Sequence, residues 1–350
     1  MKIVVLGGGL SVERDVSLTS SAGICAALRS RGHQAVVVDL FLGVPEWIED
    51  MDAFFTAKTL PEAGVEAEAP TLEEIRAMRA DKSASRIGPQ VIRICQAADI
   101  VFLGLHGADG EDGKIQSALE LLGVKYTGSD ARGSMLAMDK ALAKLLFRQN
   151  GVRTPYGVLL EKGQQLPADI PYPCVVKPCC GGSSVGASLV ETAAALPGAL
   201  AAVFACDERA LIEEYIKGRE FCVALLDNAA LPVIELDYDS PIFDYYVKYQ
   251  AGACREICPA PIDDALARAL QETALQAYRA LGLAVYSRVD FLVTEAREIY
   301  ALEVNTLPGM TPNSIIPREA AAAGIDYPTL CERIVMLSLQ RFDEAEAWKN

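Results

Sequence analysis

Continuous apolar runs separated by turn residues dominate the start of the chain. Lys2–Leu6 (KIVVL) has the pattern of a buried parallel strand and runs into Gly7-Gly8-Gly9. Helical periodicity follows from about Val12 to Ser30 and ends near Gly32, and Gln34–Asp39 is a second strand. A strand–helix–strand unit implies a parallel sheet. The signal weakens between Glu46 and Gln96, where Pro61–Pro70 is loop-like and Thr71–Ala80 predicts a short helix. Asp99–Leu103 is a further apolar strand, leading into His106-Gly107-Ala108-Asp109-Gly110-Glu111-Asp112-Gly113.

The pattern changes after about Thr127. One helix is expected over roughly Arg132–Gln149, stopping at Asn150-Gly151. Short strands then dominate to Ile234, with one helix near Glu191–Ala205. The strand Pro173–Lys177 opens into Gly181-Gly182-Ser183-Ser184-Val185-Gly186, and Leu211–Tyr215 and Glu220–Leu226 are further strands. Asp237–Gly252 is polar, aromatic and irregular, as functional loops are. A helix near Asp264–Leu281 precedes two paired strands, Val285–Val293 and Ile299–Asn305, and two short helices are expected to close the chain.

Composition narrows the function. The 350 residues suffice for two or three domains, and 51% apolar residues allow a large core. A formal charge of -15 argues against a nucleic-acid partner and against an anionic membrane surface. An anionic ligand would therefore need local clusters of Lys and Arg. The ten cysteines are scattered without a CxxC pair, which predicts free thiols in a cytoplasmic, reducing setting. KIVVL is too short for a signal-peptide core, and no run approaches the roughly 20 apolar residues of a membrane span.

The densest local chemistry lies in the paired strands. Alternation puts Arg288 and Asp290 on one face and Val289, Phe291 and Val293 on the other. Glu303 and Asn305 likewise share a face, opposite Leu302 and Val304. A turn centred between Ala296 and Arg297 would set Asp290 opposite Glu303 and Arg288 opposite Asn305. Opposed carboxylates about 5 Å apart repel unless a cation bridges them, and Mg²⁺ takes such oxygen ligands. The other reading is a solvated polar face neutralised by Arg288. Lys177 stands at the mouth of the Gly-Gly-Ser-Ser-Val-Gly loop, which is either a phosphate cradle or a plain glycine hairpin. Lys140 is a second phosphate candidate or a solvated helical lysine. The order of a Walker A loop is absent, and GGGLSV lacks the last glycine of a dinucleotide fingerprint.

Taken together, these stretches resemble the D-alanine–D-alanine ligase family of ATP-grasp enzymes. The matching pieces run in order from Gly8-Gly-Leu-Ser-Val-Glu13-Arg-Asp-Val-Ser17 through His106-Gly, Gly110-Glu-Asp-Gly113, Tyr126-Thr-Gly-Ser129 and Met138-Asp-Lys140. They continue through Val176-Lys177-Pro178, Gly182-Ser-Ser-Val-Gly186, Glu213, Gly218-Arg-Glu220-Phe221, Phe243-Asp-Tyr and Lys248-Tyr249. They end with Arg288-Val-Asp290 and Glu303-Val-Asn305-Thr-Leu-Pro-Gly309-Met-Thr311. The resemblance implies a mixed α/β (α+β), three-domain ATP-grasp fold: an N-terminal parallel α/β domain and two antiparallel-sheet domains sandwiching ATP. The expected boundaries are 1–127, 128–216 and 217–350, with a lid near 237–252.

The resemblance also implies roles. Lys140, Lys177 and Lys248 would bind ATP phosphates, Glu213, Tyr215 and Ile216 would border adenine, and Glu220 would hold the ribose. Asp290, Glu303 and Asn305 would hold two Mg²⁺ ions, with Mn²⁺ able to substitute. Glu13 would bind the ammonium of the first D-alanine, and His106 would lie near its carboxylate. Ser183 and Tyr249 would link to Glu13 and fasten the lid. Arg288 and the Gly309 N–H would stabilise the oxyanion, and Ser314 would hold the second carboxylate. The implied activity is ATP-dependent joining of two D-alanines for peptidoglycan precursors, by a cytoplasmic enzyme expected to be a homodimer. Lys248-Tyr249 and a lid without histidine point away from lactate-forming relatives, and apolar Ile315 points away from serine-forming ones. The alternatives are a D-alanine–D-serine ligase, another ATP-grasp carboxylate–amine ligase, and a nucleotide-binding protein without catalysis. Cys179-Cys180 and Leu189 depart from the family pattern.

Overall fold

The computed structural model describes residues 1–56, 60, 70–182, 184–243 and 252–347. Strands β1 (Lys2–Gly7), β2 (Gln34–Asp39) and β3 (Ile100–Leu103) form a parallel sheet in the order β2-β1-β3. Ile3, Val4, Val5 and Leu6 are all inaccessible to solvent, the reason the run does not alternate. The helix Arg14–Ser30 covers this sheet with Ile24, Cys25 and Leu28. Among its described residues, the stretch that carries little pattern holds three short helices, Met51–Thr56, Leu72–Ala77 and Val91–Gln96. A helix at Lys114–Leu121, with no counterpart in the pattern reading, follows Gly113.

The middle of the chain builds a four-stranded antiparallel sheet from β4 (Gly157–Glu161), β5 (Cys174–Pro178), β6 (Ser188–Val190) and β7 (Arg209–Glu214), in the order β4-β7-β5-β6. The helix Leu196–Val203 covers one face through Leu196, Leu200 and Val203, which pack with Val176 and Ile212. The opposite face presents Val175, Lys177 and Glu213 to a cavity.

The third sheet joins β8 (Arg219–Leu226), β9 (Ala229–Ala230), β10 (Ile234–Tyr238), β11 (Cys254–Ile257), β12 (Tyr286–Val293) and β13 (Ile299–Asn305). Its order is β11-β10-β8-β12-β13, with β9 on β8. The amphipathic helix Asp264–Ala280 lays Leu266, Leu270, Ala274 and Ala277 over Phe221, Val223, Val289 and Phe291. Asp263 caps that helix by accepting from the Ala265 and Leu266 amides at 3.1 and 3.0 Å. Arg297, in the β12–β13 turn, pairs with the same carboxylate at 2.7 Å and ties the hairpin to the helix.

Four expectations need correction. The helix expected over Arg132–Gln149 is two helices, Ala131–Met138 and Lys140–Gln149, broken at an extended Asp139. Asp139 caps the second by accepting from the Leu142 amide at 3.0 Å, so periodicity continues through a change of axis. The last helix is long, Tyr327–Ala347, because its Leu330, Cys331, Ile334 and Val335 complete the core of the first sheet. Asp237 and Tyr238 belong to β10, paired with Arg255 and Cys254, and not to an irregular loop. Leu302 does not face away from Glu303: a bulge in β13 turns both toward the cavity, while Ala301 and Val304 are buried.

Phe291 fills the core directly behind the polar face of β12. Phe291→Ala is expected to lower stability by about 3–5 kcal/mol, read from the urea midpoint. A change under about 1 kcal/mol would contradict this packing.

Candidate active site

The four- and six-stranded sheets face each other across a cavity of about 830 Å³, which residues of the N-terminal region also line. Fifteen of the eighteen residues singled out above lie on it: Glu13, His106, Lys140, Lys177, Glu213, Tyr215, Ile216, Glu220, Arg288, Asp290, Glu303, Asn305, Gly309, Ser314 and Ile315. The other three, Ser183, Lys248 and Tyr249, lie outside the described residues.

Lys140 is the first residue of its helix, and that position lets it span the cavity. Its Nζ donates to the Gly181 carbonyl at 2.7 Å and pairs with Glu303 at 3.1 Å. Lys177 pairs with Glu213 at 2.6 Å, and Lys144 pairs with the other Glu213 oxygen at the same distance. Lys144 also donates to Thr154 Oγ1 at 2.7 Å. Burial raises the Glu213 carboxyl, but the two lysines outweigh it and its pKa is lowered. Burial brings Lys144 down to about 8 against the pull of Glu213. Sequence reasoning missed Lys144. The available signal was its place on the face of the helix that carries Ala143 and Phe147, both buried.

The hairpin has the inferred register. Asp290 pairs with Glu303, and Arg288 with Asn305. The turn residues are 294–298, closed by Thr294 N–H to Glu298 O at 3.1 Å and Arg297 N–H to Thr294 O at 2.8 Å. From Val293–Ile299 alone, the pairing would be one residue out at Asp290, and the bulge at Leu302 restores it. Arg288 donates to both Asp290 oxygens, at 2.6 and 2.7 Å, and Asn305 Nδ2 donates to one at 3.1 Å. Burial would raise the Glu303 carboxyl, yet Lys140, Lys177 and Arg288 hold it down at about 2. Asp290, Glu303 and Asn305 thus offer an all-oxygen donor set on one face, which suits Mg²⁺ or Mn²⁺.

At the N-terminal end of the cavity, Glu13 immediately precedes the helix Arg14–Ser30. A Cβ on Gly107, which has a φ of 73°, would lie 2.9 Å from Glu13 Oε2, and one on Gly182 would lie 3.4 Å away. The Glu13 carboxylate therefore sits between two glycine loops. His106 Nδ1 donates to the Leu307 carbonyl at 3.1 Å, because that oxygen can only accept. Its Nε2, 3.2 Å from Ser20 Oγ, is then the acceptor in the neutral ring. Ser314 precedes the helix Ile315–Ala322, and its hydroxyl makes no capping bond to it. The hydroxyl instead meets the Thr311 amide at 3.1 Å and Thr311 Oγ1 at 2.7 Å. Across the cavity, Ser184 donates to the Phe243 carbonyl at 2.7 Å and Tyr215 to the Pro241 carbonyl at 3.0 Å.

Two family models match the chain: "D-ala D-ala ligase N-terminus" over residues 2–129 and "D-ala D-ala ligase C-terminus" over residues 153–336. The chain belongs to the D-alanine–D-alanine ligase family. It is 42% identical to the D-alanine–D-alanine ligase of Pediococcus pentosaceus, over 98% of this chain and 99% of that one. It is 40% identical to that of Geobacter sulfurreducens, over 96% and 93%. Among solved structures, the Bacillus anthracis D-alanine–D-alanine ligase complexed with ATP is similar with a TM-score of 0.76 and 29% identity, covering 99% of both chains.

Glu220 is a buried carboxyl in this D-alanine–D-alanine ligase family site, hydrogen-bonded by Tyr238 Oη. Burial raises it to about 8, against the lowering effect of the Tyr238 bond. A folded pKa above the unfolded value near 4.5 means that the native protein holds this proton more tightly. The associated stability is present below about pH 4.5 and is lost as pH rises toward 8. Glu220→Gln is expected to flatten that decline in the nucleotide-free protein, read as melting temperature against pH. An unchanged profile would refute a protonated Glu220.

Proposed function

We propose that the chain joins two D-alanines into D-alanyl-D-alanine at the expense of ATP, through D-alanyl phosphate, in cytoplasmic synthesis of peptidoglycan precursors. The observation that carries this reading is a single cavity that gathers lysines, an arginine and three oxygen ligands in a chain of this family. The volume of about 830 Å³ is in the range of small-molecule sites. Ten free thiols suit a reducing compartment. No helix among the described residues is long and apolar enough to cross a membrane.

Lys140 and Lys177 neutralise the phosphates, with Lys248 added from the lid. Tyr215 and Ile216 border adenine beside Glu213, and Glu220 receives the ribose. Asp290, Glu303 and Asn305 would hold two Mg²⁺ ions, with Mn²⁺ able to substitute. When bound, the metal spreads the charge of the transferring phosphoryl group. Glu13 binds the ammonium of the first D-alanine, and His106, its ring fixed by Leu307 and Ser20, lies near the carboxylate. That carboxylate attacks the γ-phosphorus, ADP leaves, and an acyl phosphate forms. The amine of the second D-alanine attacks the acyl carbon. Arg288 and the Gly309 N–H receive the oxyanion, and phosphate departs as the peptide bond closes.

A glycine at 309 suits this arrangement, because a Cβ there would come within 3.0 Å of Ser314 Oγ. The Ser314 hydroxyl and the N-terminal end of the following helix favour the second carboxylate. Ile315 offers an apolar wall to a methyl group and no partner to a hydroxyl. The segment that follows β10, up to residue 252, would close over the site and exclude water, with Ser183 and Tyr249 linking it to Glu13. The contacts of Ser184 and Tyr215 with its described end support that reading. Three separate sheets suit the division 1–127, 128–216 and 217–350, with the helix Tyr327–Ala347 packed into the first core and the helices Ala131–Met138 and Lys140–Gln149 into the third.

Offering D-alanine, D-serine and D-lactate together with ATP and Mg²⁺, and identifying products by mass spectrometry, tests the reading. D-alanyl-D-alanine is expected to dominate, with one ADP per dipeptide. A dominant D-alanyl-D-serine or depsipeptide product would overturn the acceptor assignment, and absence of any ligated product would overturn the ligase reading.

A further inference from the structure

Cys179 and Cys180 follow the strand β5 and lead into the Gly181-Gly182 turn, and neither lines the cavity. Cys179 is fully buried, and its thiol donates to Asp139 Oδ1 at 3.2 Å. Cys180 is half-buried. Its amide donates to Asp207 Oδ2 at 2.8 Å, and Arg209 Nη2 lies 3.2 Å from its sulfur. The same Nη2 pairs with Asp139 at 2.8 Å, so a guanidinium sits among the two sulfurs and the carboxylate. That cation disfavours a metal ion at this cluster and favours a sulfur anion.

The other cysteines differ. Five (Cys25, Cys95, Cys174, Cys222 and Cys331) are buried, and Cys254 and Cys258 are pushed up to about 11 chiefly by burial. Cys206 is exposed, but burial of its sulfur and the Asp207 charge raise its pKa. Cys180 alone among the ten is lowered, to about 7, by the Cys179 thiol and by Arg209, against the effect of burial. Accessibility and anionic character thus coincide at one thiol. That thiol is joined to the carbonyl that Lys140 holds: Lys140 Nζ reaches Gly181 O at 2.7 Å and Glu303 at 3.1 Å.

We propose that Cys180 is a thiol-modification site for low-molecular-weight disulfides, and that capping it disables the nucleotide site through the Gly181–Lys140 contact. The Cys180 thiolate attacks one sulfur of the disulfide. A Cys180–S–S–R bond forms, the original S–S bond breaks, and the second sulfur leaves as a thiolate that takes a proton from solvent. The bulk of the cap and the loss of negative charge beside Arg209 displace the turn that positions Lys140. The effect on the site rests on the nucleotide reading above, whereas the location of the cap does not.

The test treats the whole protein with one equivalent of 4,4′-dithiodipyridine. Capped cysteines are mapped by mass spectrometry. Affinity for a fluorescent ADP analogue and D-alanine-dependent ADP formation are measured before and after treatment. Cys180 is expected to be capped first, nucleotide affinity and turnover to fall at least tenfold, and dithiothreitol to restore both. Cys180→Ser and Cys180→Ala are expected to resist the reagent relative to their own untreated rates. First capping at Cys206, a capped Cys180 with unchanged nucleotide affinity, or inactivation of the two variants would each overturn the proposal. Absent turnover in untreated protein would count against the ligase reading alone.

Discussion

Two carboxylates placed opposite each other in a half-buried hairpin, Asp290 buried and Glu303 partly so, set the terms for the whole site. At about 5 Å in an effective dielectric of about 20, Asp290 and Glu303 repel by roughly 3 kcal/mol. The protein answers with two cations and a neutral donor. Arg288 reaches Asp290 from the same strand, Lys140 reaches Glu303 from a helix start, and Asn305 adds an amide donor. Each of those positions depends on a local device: the bulge at Leu302 keeps the pair in register, and the break at Asp139 puts Lys140 at a helix terminus. The fold around the cavity can be read as the scaffold that holds acidic groups and their cations close without letting them neutralise one another completely.

A second cluster repeats the principle on the facing sheet. Glu213 is nearly inaccessible and is held between Lys144 and Lys177. Removing one partner of such a buried pair leaves a charge uncompensated, which is why the arrangement constrains more than it stabilises. One lysine lines the cavity, and the other lies deeper, against Thr154. The pair thereby fixes the carboxylate and leaves the outer cation facing the space where an anionic ligand would lie.

Much of this was legible in the sequence because it rests on short-range periodicity. Alternation along Arg288–Val293 assigned the polar and apolar faces correctly, and Lys2–Leu6 announced a doubly covered strand. The pairing of Asp290 with Glu303 came from a turn placed half a residue away from its observed centre, with the bulge restoring the difference. Features that depend on distant parts of the chain were not legible. Nothing local marks Tyr327–Ala347 as a long helix that returns to the first core. The helix break at Asp139 leaves the apolar period intact, and Lys144, although on the helix face of Ala143 and Phe147, carries no local sign of its partner Glu213. The bulge that turns Leu302 to the cavity is a two-strand property and has no signature in one strand.

In the proposed function, the opposed carboxylates hold a divalent ion against a nucleotide. Mn²⁺ binding in the presence of ADP, read from loss of the free-ion electron paramagnetic resonance signal, tests it directly. Glu303→Gln, which keeps size and removes charge, should weaken Mn²⁺ binding at least tenfold while the protein stays folded. Undiminished Mn²⁺ affinity in that variant would contradict the account.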